Sequence, residues 1–119
     1  MDFELQKQTD YTLVKIRTER LDTTNAPALK SELMKASADG ERNLVLDVSE
    51  CEYCDSSGLS AILVGNRLCE DTMGTFILTG LQRDFEQIIR ISMLHTVLVI
   101  TRTEAEAAMI LVEKGKHIS

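Results

Sequence analysis

The chain has 119 residues, of which 44% are hydrophobic and 27% charged, and its formal net charge is −6. These values predict one folded domain, residues 1–119, that can bury a hydrophobic core. The acidic balance argues against a nucleic-acid-binding face, and no apolar stretch is long enough for membrane insertion. Because the first ten residues also lack the pattern of a secretory signal, we expect a cytoplasmic protein.

Hydrophobic periodicity and turn residues predict strands alternating with helices along the chain. The first two strands alternate apolar and polar residues, which is typical of a hairpin at a sheet edge with one face in water; the later strands are apolar enough to be covered on both faces. Strands are predicted at residues 3–8, 11–18, 43–48, 75–79 and 96–101. Helices are predicted within residues 23–40, from about Ser57 to Asp71, over residues 81–91 and from Thr103 onward.

The predicted helices carry boundary signals and apolar stripes. Thr24 or Asn25 can cap the first helix, Pro27 suits its first turn and Gly40 can end it. TEAE, residues 103–106, matches the capping-box pattern before the last helix. The predicted stripes are Leu29, Leu33 and Ala36 in the first helix, Leu81, Phe85, Ile88 and Ile89 in the third, and Ala105, Ala108, Met109 and Val112 in the last. The order β-β-α-β-α-β-α-β-α predicts an α/β fold with a largely parallel sheet of about five strands and helices packed on it.

The segment CDSSGLS, residues 54–60, lies between the buried strand 43–48 and the second helix. Binding and chemistry collect at the carboxyl ends of strands in open α/β sheets, so a functional site is expected here. In the simplest interpretation, Ser56 or Ser57 caps the helix and Asp55 favours its positive end. Capping does not exclude a second role as a nucleophile or as a modified hydroxyl.

A nucleophilic serine is the less favoured of these two roles. The elbow pattern requires glycine on both sides of the serine, and although Gly58 is present, Cys54 occupies the earlier position. The two histidines of the chain, His95 and His117, are expected to be ordinary polar side chains rather than catalytic bases. We therefore predict no enzyme activity; a pocket that places His95 beside Ser56 would reopen the question.

Phosphorylation of the serine has favourable energetics for a switch. A phosphoserine carries about −1.5 to −2 charges, and a helix N-terminus stabilises a negative charge by about 0.3–1 kcal/mol. The fold should therefore tolerate the modification. At a binding surface beside Asp55, the same charge would oppose a docked partner by roughly several kcal/mol.

Residues 46–71, LDVSECEYCDSSGLSAILVGNRLCED, and residues 74–92, GTFILTGLQRDFEQIIRIS, resemble the STAS domain of bacterial anti-sigma factor antagonists. The resemblance extends over nearly the whole chain and is strongest at DSSGL, residues 55–59. It implies that Ser56 is phosphorylated by a partner kinase that is also the anti-sigma factor, and that a PP2C-type phosphatase reverses this. The partner-binding residues implied are Asp22, Asp55, Ser56, Ser57, Gly58 and Leu59.

The segment ERLD, residues 19–22, matches the family's G-x-L-D pattern only in part. Glu19 stands where the family usually has glycine, which leaves the local turn and the choice of partner open. The resemblance implies a protein without cofactor that is monomeric when free. The alternative is a STAS module that serves as a structural subunit of a membrane transport complex, without phosphorylation.

The chain has three cysteines, an odd number that argues against a disulfide framework and fits a reducing compartment. Cys51 and Cys54 form a C-x-x-C pattern. A redox pair of this kind has its first cysteine at a helix N-terminus, whereas both of these cysteines come before the predicted helix. Cys69 and a distant histidine are poor additional ligands for zinc. We expect all three to be small buried hydrophobic residues and predict no metal site.

Overall fold

The computed structural model describes residues 2–118, with the side chains of residues 2–114. Seven strands and four helices are formed in this part of the chain, with a short 3₁₀ helix at Leu94–Thr96. The strands are β1 (Phe3–Lys7), β2 (Thr12–Ile16), β3 (Arg20–Leu21), β4 (Leu44–Asp47), β5 (Tyr53–Cys54), β6 (Phe76–Thr79) and β7 (Val99–Thr101). The helices are α1 (Ala26–Ala38), α2 (Ser56–Asp71), α3 (Arg83–Ile91) and α4 (Glu104–Ile118).

The main sheet has five strands in the order β1-β2-β4-β6-β7. β1 pairs with β2 in antiparallel orientation, and all the other neighbours are parallel. This confirms the predicted mixed, largely parallel sheet with the hairpin at one edge. The wet face predicted for the hairpin is wrong for β2, where four of the five residues are buried. Both faces of this strand are covered, since Val14 and Ile16 pack on one side of the sheet and Leu13 packs on the other.

Helices cover both faces of the sheet. On one face α1, α2 and α3 enclose the larger core, which contains Leu29, Leu33, Ile62, Phe85 and Ile89 with alternate residues of the strands. On the other face α4 packs on a smaller cluster formed by Leu13, Val45, Ile77, Ala107 and Leu111. Successive strand residues point to opposite faces, so a strand covered on both faces is apolar at most of its positions, as in β4 and β6.

The predicted helix signals are confirmed at several boundaries. Gly40 has φ +97° just after α1, in the left-handed region where glycine is favoured. Before α4, Thr103 Oγ1 accepts from the Glu106 amide at 3.2 Å, and Glu106 Oε1 accepts from the Thr103 amide at 3.2 Å, which completes the capping box. The α1 stripe of Leu29, Leu33 and Ala36 is buried as predicted.

The stripe predicted for the last helix is wrong. Ala107 and Leu111 are buried in α4, whereas Met109 is 69% exposed and Val112 is 40% exposed. In the third helix Phe85 and Ile89 are buried, Leu81 and Ile88 are half-buried, and the helix begins only at Arg83. Of the strand predicted at 96–101, only Val99–Thr101 is extended. The side chain of His117 lies outside the described residues.

A second, two-stranded sheet was not predicted from the sequence. β3 and β5 pair in parallel, with Arg20 opposite Tyr53 and Leu21 opposite Cys54. The two strands lie directly before α1 and α2 in the chain, so this small sheet fixes where the two helices begin.

Candidate functional site

The small sheet brings the two predicted acidic residues to the same place. Leu21 lies opposite Cys54, and the Asp55 amide donates to the Leu21 carbonyl at 3.1 Å. Asp22 and Asp55 therefore follow the carboxyl ends of neighbouring parallel strands. The loop before α1 and the start of α2 form one surface around these residues, which we call the Ser56 surface: residues 19–25 and 55–60.

Asp55 caps helix α2. It has an extended backbone, with φ −96° and ψ −172°, and its Oδ1 accepts from the Gly58 amide at 3.0 Å. The prediction that Ser56 or Ser57 caps the helix is therefore wrong. The helix starts at Ser56 itself, and within the described residues neither serine hydroxyl forms a hydrogen bond.

The residues of the DSSGL segment differ in exposure. Ser56 is exposed, Asp55 and Ser57 are half-buried, and Gly58 is buried. Leu59 is half-buried and packs against the large core. Of the six predicted residues, Ser56 is exposed, Asp22, Asp55, Ser57 and Leu59 are half-buried, and only Gly58 is buried. Gly58 and Leu59 hold the helix against the domain.

Gly58 allows the start of α2 to approach the small sheet closely. A Cβ at this position would lie 2.4 Å from Cys54 Sγ and 2.8 Å from the Leu21 carbonyl oxygen. Both distances are below van der Waals contact, so a side chain would push the helix away from β3 and β5. The glycine of the DSSGL segment is required for packing, which in turn places Ser56.

The loop that carries Asp22 is fixed by its own hydrogen bonds. Asp22 Oδ1 accepts from the Thr24 amide at 3.0 Å and from Thr24 Oγ1 at 2.6 Å, and Arg20 Nε lies 3.8 Å from Asp22 Oδ2. The Thr24 hydroxyl, then its amide, hold the pKa of the Asp22 carboxyl below its usual value, and the Arg20 charge adds to this effect. Asp22 is therefore a carboxylate at neutral pH.

The predicted cap of α1 differs from the structure. Asn25 occupies the N-cap position, but its side chain makes no capping hydrogen bond. Instead, Asn25 Oδ1 accepts from the Asp22 amide at 2.9 Å and Nδ2 donates to the Arg20 carbonyl at 2.8 Å. The Asn25 side chain therefore stabilises the loop that carries Asp22 and does not cap α1.

Glu19 takes its place in the backbone without strain. Its carbonyl accepts from the Glu52 amide at 2.8 Å and the Tyr53 amide at 3.2 Å, which extends the pairing of β3 with β5. Within the described residues, Met73 and Met93 are the only non-glycine residues with a positive φ, so Glu19 does not have one. The turn at Glu19 therefore does not require glycine, and its exposed carboxylate adds a negative charge at the rim of the Ser56 surface.

A shallow cleft lies between the starts of α1 and α2. Its walls are formed by Thr23, Ala26, Pro27 and Lys30 on one side and by Ser56, Ser57 and Ser60 on the other. Lys30 and Ser60 were not predicted as site residues. Ser60 could have been found, since it lies one turn after Ser56 on the same helical face. Nothing in the sequence connects Lys30 with a helix that begins 26 residues later.

His95 is not beside Ser56. It lines a separate cavity together with Ile89 and Leu98, and none of the residues around that cavity lines the Ser56 cleft. The structure therefore does not place His95 where it could act as a base for Ser56.

The three cysteines are buried and free, as predicted. Burial raises the pKa of the Cys54 thiol to about 12 and that of Cys69 to about 11, and it also raises the pKa of Cys51. These are packed thiols rather than reactive thiolates. Among the described residues no group of His, Cys, Asp and Glu could hold a metal ion, and no helix has the length and apolar character to cross a membrane.

Fold and site together define a class: an α/β domain with a largely parallel sheet that presents an exposed serine in the first turn of a helix. The chain belongs to the STAS domain family, whose sequence profile matches residues 2–107. A relative from Bordetella bronchiseptica, BtrV, is named as an anti-sigma factor antagonist. It is 26% identical over 88 residues, which are 74% of this chain and 76% of the relative.

Solved structures have the same fold. A Thermotoga maritima protein, TM1081, described as an anti-sigma factor antagonist, superposes with a TM-score of 0.82 at 22% identity, covering 92% of this chain and 93% of its own. The Bacillus anti-sigma factor antagonist SpoIIAA superposes in its unphosphorylated form with a TM-score of 0.72 at 18% identity, covering 93% and 97%. The phosphorylated form of SpoIIAA superposes with a TM-score of 0.71. A sulfate transporter family protein from Wolinella succinogenes also gives 0.71 at 18% identity, covering 85% and 86%.

Proposed function

We propose that this protein is an anti-sigma factor antagonist that acts by partner switching and has no enzyme activity of its own. In its unphosphorylated form it binds an anti-sigma factor serine kinase in the cytoplasm through the Ser56 surface, and a sigma factor is released. The protein acts as a monomer. The observation that carries the proposal is the exposed, unbonded hydroxyl of Ser56 at the start of a helix that Asp55 caps.

Phosphorylation of Ser56 by the kinase ends this interaction. The phosphate adds about −1.5 to −2 charges to a surface that already holds the carboxylates of Asp22 and Asp55. A partner that binds these carboxylates loses its fit, because a bulky solvated dianion is added directly beside Asp55. A PP2C-type phosphatase removes the phosphate and restores binding.

The exposed position of Ser56 supports a modification that does not disturb the fold. Within the described part of the chain the hydroxyl makes no hydrogen bond that a phosphate would break, and Gly58 and Leu59 pack beneath it. The known phosphorylated form of SpoIIAA has the same overall fold as this chain, which is consistent with such tolerance.

Incubation with the cognate kinase and ATP tests the modification directly. Intact-mass spectrometry should detect one added phosphate on the parent protein and on Ser57→Ala, but none on Ser56→Ala. Ser57 is a matched control because it is the adjacent hydroxyl on the same turn and is only half-buried. If Ser56→Ala also gained a phosphate, Ser56 would not be the acceptor.

A second function is favoured by the likeness to the sulfate transporter family protein. In that case the domain serves as a structural subunit of a membrane transport complex, and the Ser56 surface contacts another subunit without being modified. Absence of any mass increase with each kinase encoded near the gene, together with co-purification with a membrane complex, would favour this second function over the first.

A further inference from the structure

The cleft between α1 and α2 brings a lysine to the serine-bearing end of the second helix. Lys30 lines the cleft from α1, and Ser56, Ser57 and Ser60 line it from α2. Lys30 is half-buried, which restricts the positions that its ammonium can occupy. Among the described residues that line this cleft, Lys30 is the one that carries a charge.

Lys30 has no acidic partner in the described part of the chain. Among the described residues, the Lys30 ammonium takes part in no salt bridge and in no side-chain hydrogen bond. Two carboxylates of the Ser56 surface have other partners: Asp22 contacts Thr24 and Arg20, and Asp55 accepts from the Gly58 amide. The ammonium is therefore available to an anion that enters the cleft.

We propose that Lys30 binds the phosphate of phosphorylated Ser56 across this cleft and so connects α1 with α2. This inference rests on the proposed phosphorylation of Ser56. A phosphate has three acceptor oxygens, and a charge-assisted hydrogen bond from an ammonium is among the stronger contacts that it can make. The hydroxyls of Ser57 and Ser60 line the same cleft and offer further donors.

The contact offsets a repulsion that the modification creates. The charged groups of the Ser56 surface and its cleft are Asp55 at the helix cap, Asp22 and Arg20 on the adjoining loop, Glu19 at the rim, and Lys30 on α1. The three carboxylates oppose the phosphate, and Arg20 is already paired with Asp22. Lys30 thus supplies the free positive charge that makes the phosphorylated form stable while the partner is repelled.

Phosphoserine incorporated genetically at position 56 of the full chain allows a test that needs no kinase. The second pKa of the phosphate is measured by ³¹P NMR titration at low ionic strength in the parent, Lys30→Met and Lys35→Met backgrounds. Lys35 is a matched control, since it is an exposed lysine of α1 that does not line the cleft. The phosphate pKa should be lower in the parent and in Lys35→Met than in Lys30→Met, because a nearby ammonium favours the dianion.

Equal phosphate pKa values in all three backgrounds would overturn the proposal. Lys30→Arg should restore the lower value, and Lys30→Gln replaces Lys30→Met if the latter does not fold. The thermal midpoint gives a second readout: phosphoserine should raise it more in the parent than in Lys30→Met. The affinity of the phosphorylated parent for the kinase is measured separately. Undiminished binding would reject the proposed function, and the phosphate pKa values would still show whether Lys30 binds the phosphate.

Discussion

The carboxylate of Asp55 performs the structural task that a serine performs at many helix starts. By accepting from the Gly58 amide, it leaves the hydroxyls of Ser56 and Ser57 without a role in the fold. A hydroxyl that capped the helix would have to give up that hydrogen bond on modification. On the proposed function, this division of roles between Asp55 and Ser56 leaves an exposed serine in this turn for a kinase to modify.

Removal of the Asp55 cap should destabilise the domain. We expect Asp55→Ala to lower the free energy of unfolding by about 0.5–2 kcal/mol, whereas Asp55→Asn, which keeps an accepting oxygen, should lower it by much less. Urea unfolding measures both. Ser57→Ala should change the stability little, and a loss as large as that of Asp55→Ala would show that the hydroxyl caps after all.

The buried thiols give a prediction for alkaline pH. Burial raises the pKa of Cys54 to about 12 and of Cys69 to about 11 in the folded chain, so the unfolded chain loses these protons first. Since the folded state then binds more protons than the unfolded state, stability should fall as the pH rises from about 9 toward 12. Urea unfolding at a series of pH values measures this slope.

Two controls separate the cysteines from other alkaline groups. Tyr11, whose pKa burial and Glu104 raise to about 12, contributes a slope of the same sign. Cys54→Ala and Cys69→Ala keep Tyr11 and should each reduce the slope. A thiol reagent at neutral pH should label the native protein slowly at all three cysteines and rapidly only in denaturant; fast native labelling would contradict their burial.

At the level of elements, the start of α2 is positioned by its contact with the two-stranded sheet. Gly58 lies against Cys54 of β5 and Leu21 of β3, and these strands carry Asp55 and Asp22 at their ends. The packing of one glycine thus determines the spacing between the serine and the two carboxylates. The site depends on elements that are only two residues long.

Gly58→Ala should disturb both stability and binding. The added Cβ would contact Cys54 Sγ and the Leu21 carbonyl at distances that require the helix to shift, and such overpacking costs about 1–3 kcal/mol. Ser60→Ala, an exposed position one turn after Ser56, should change the free energy of unfolding by no more than about 0.5 kcal/mol. A Gly58→Ala protein as stable as Ser60→Ala would contradict the close approach.

The sequence predicted the long elements and missed the short ones for physical reasons. Strands β4 and β6 and helices α1, α2 and α3 have a period or an apolar run that fixes their type. A two-residue strand has no period, so β3 and β5 could not be found. In α4, every residue from Ala107 to Val112 is apolar, and no pattern there distinguishes the buried Ala107 and Leu111 from the exposed Met109.

The site was predicted in part. DSSGL identified Ser56 and its neighbours from local sequence, because helix starts have recognisable chemistry. Asp22 came only from the family resemblance. The position of Lys30 in the wall of the cleft depends on how α1 packs against α2. This packing is a tertiary property that local sequence does not encode.

Across the whole molecule, the exposed hydroxyl of Ser56 is separate from the core. The large core is closed by α1, α2 and α3 on one face of the sheet, and α4 closes the other face. Ser56 is exposed at the end where α1 and α2 begin, whereas Leu21 belongs to the large core and Leu59 packs against it. On the proposed function, we therefore expect charge added at Ser56 to act on a partner and to leave the packing unchanged.

Phosphoserine at position 56 should leave the domain folded. Amide chemical shifts in β4, β6 and α3 should be the same as in the unmodified protein, and the thermal midpoint should not fall. Changes should be confined to the Ser56 surface and the neighbouring wall of α1. Spectral changes that spread through the core would show that the modification acts on the fold instead of on the surface.

The most direct test of the central claim compares the affinity of the cognate anti-sigma factor kinase for the unmodified protein and for the same protein with phosphoserine at position 56. Isothermal titration calorimetry in the presence of ADP gives both dissociation constants. We predict that the phosphate weakens binding at least about thirtyfold, as expected when a misplaced charge costs an interface about 2 kcal/mol or more. Equal dissociation constants for the two forms would contradict the account.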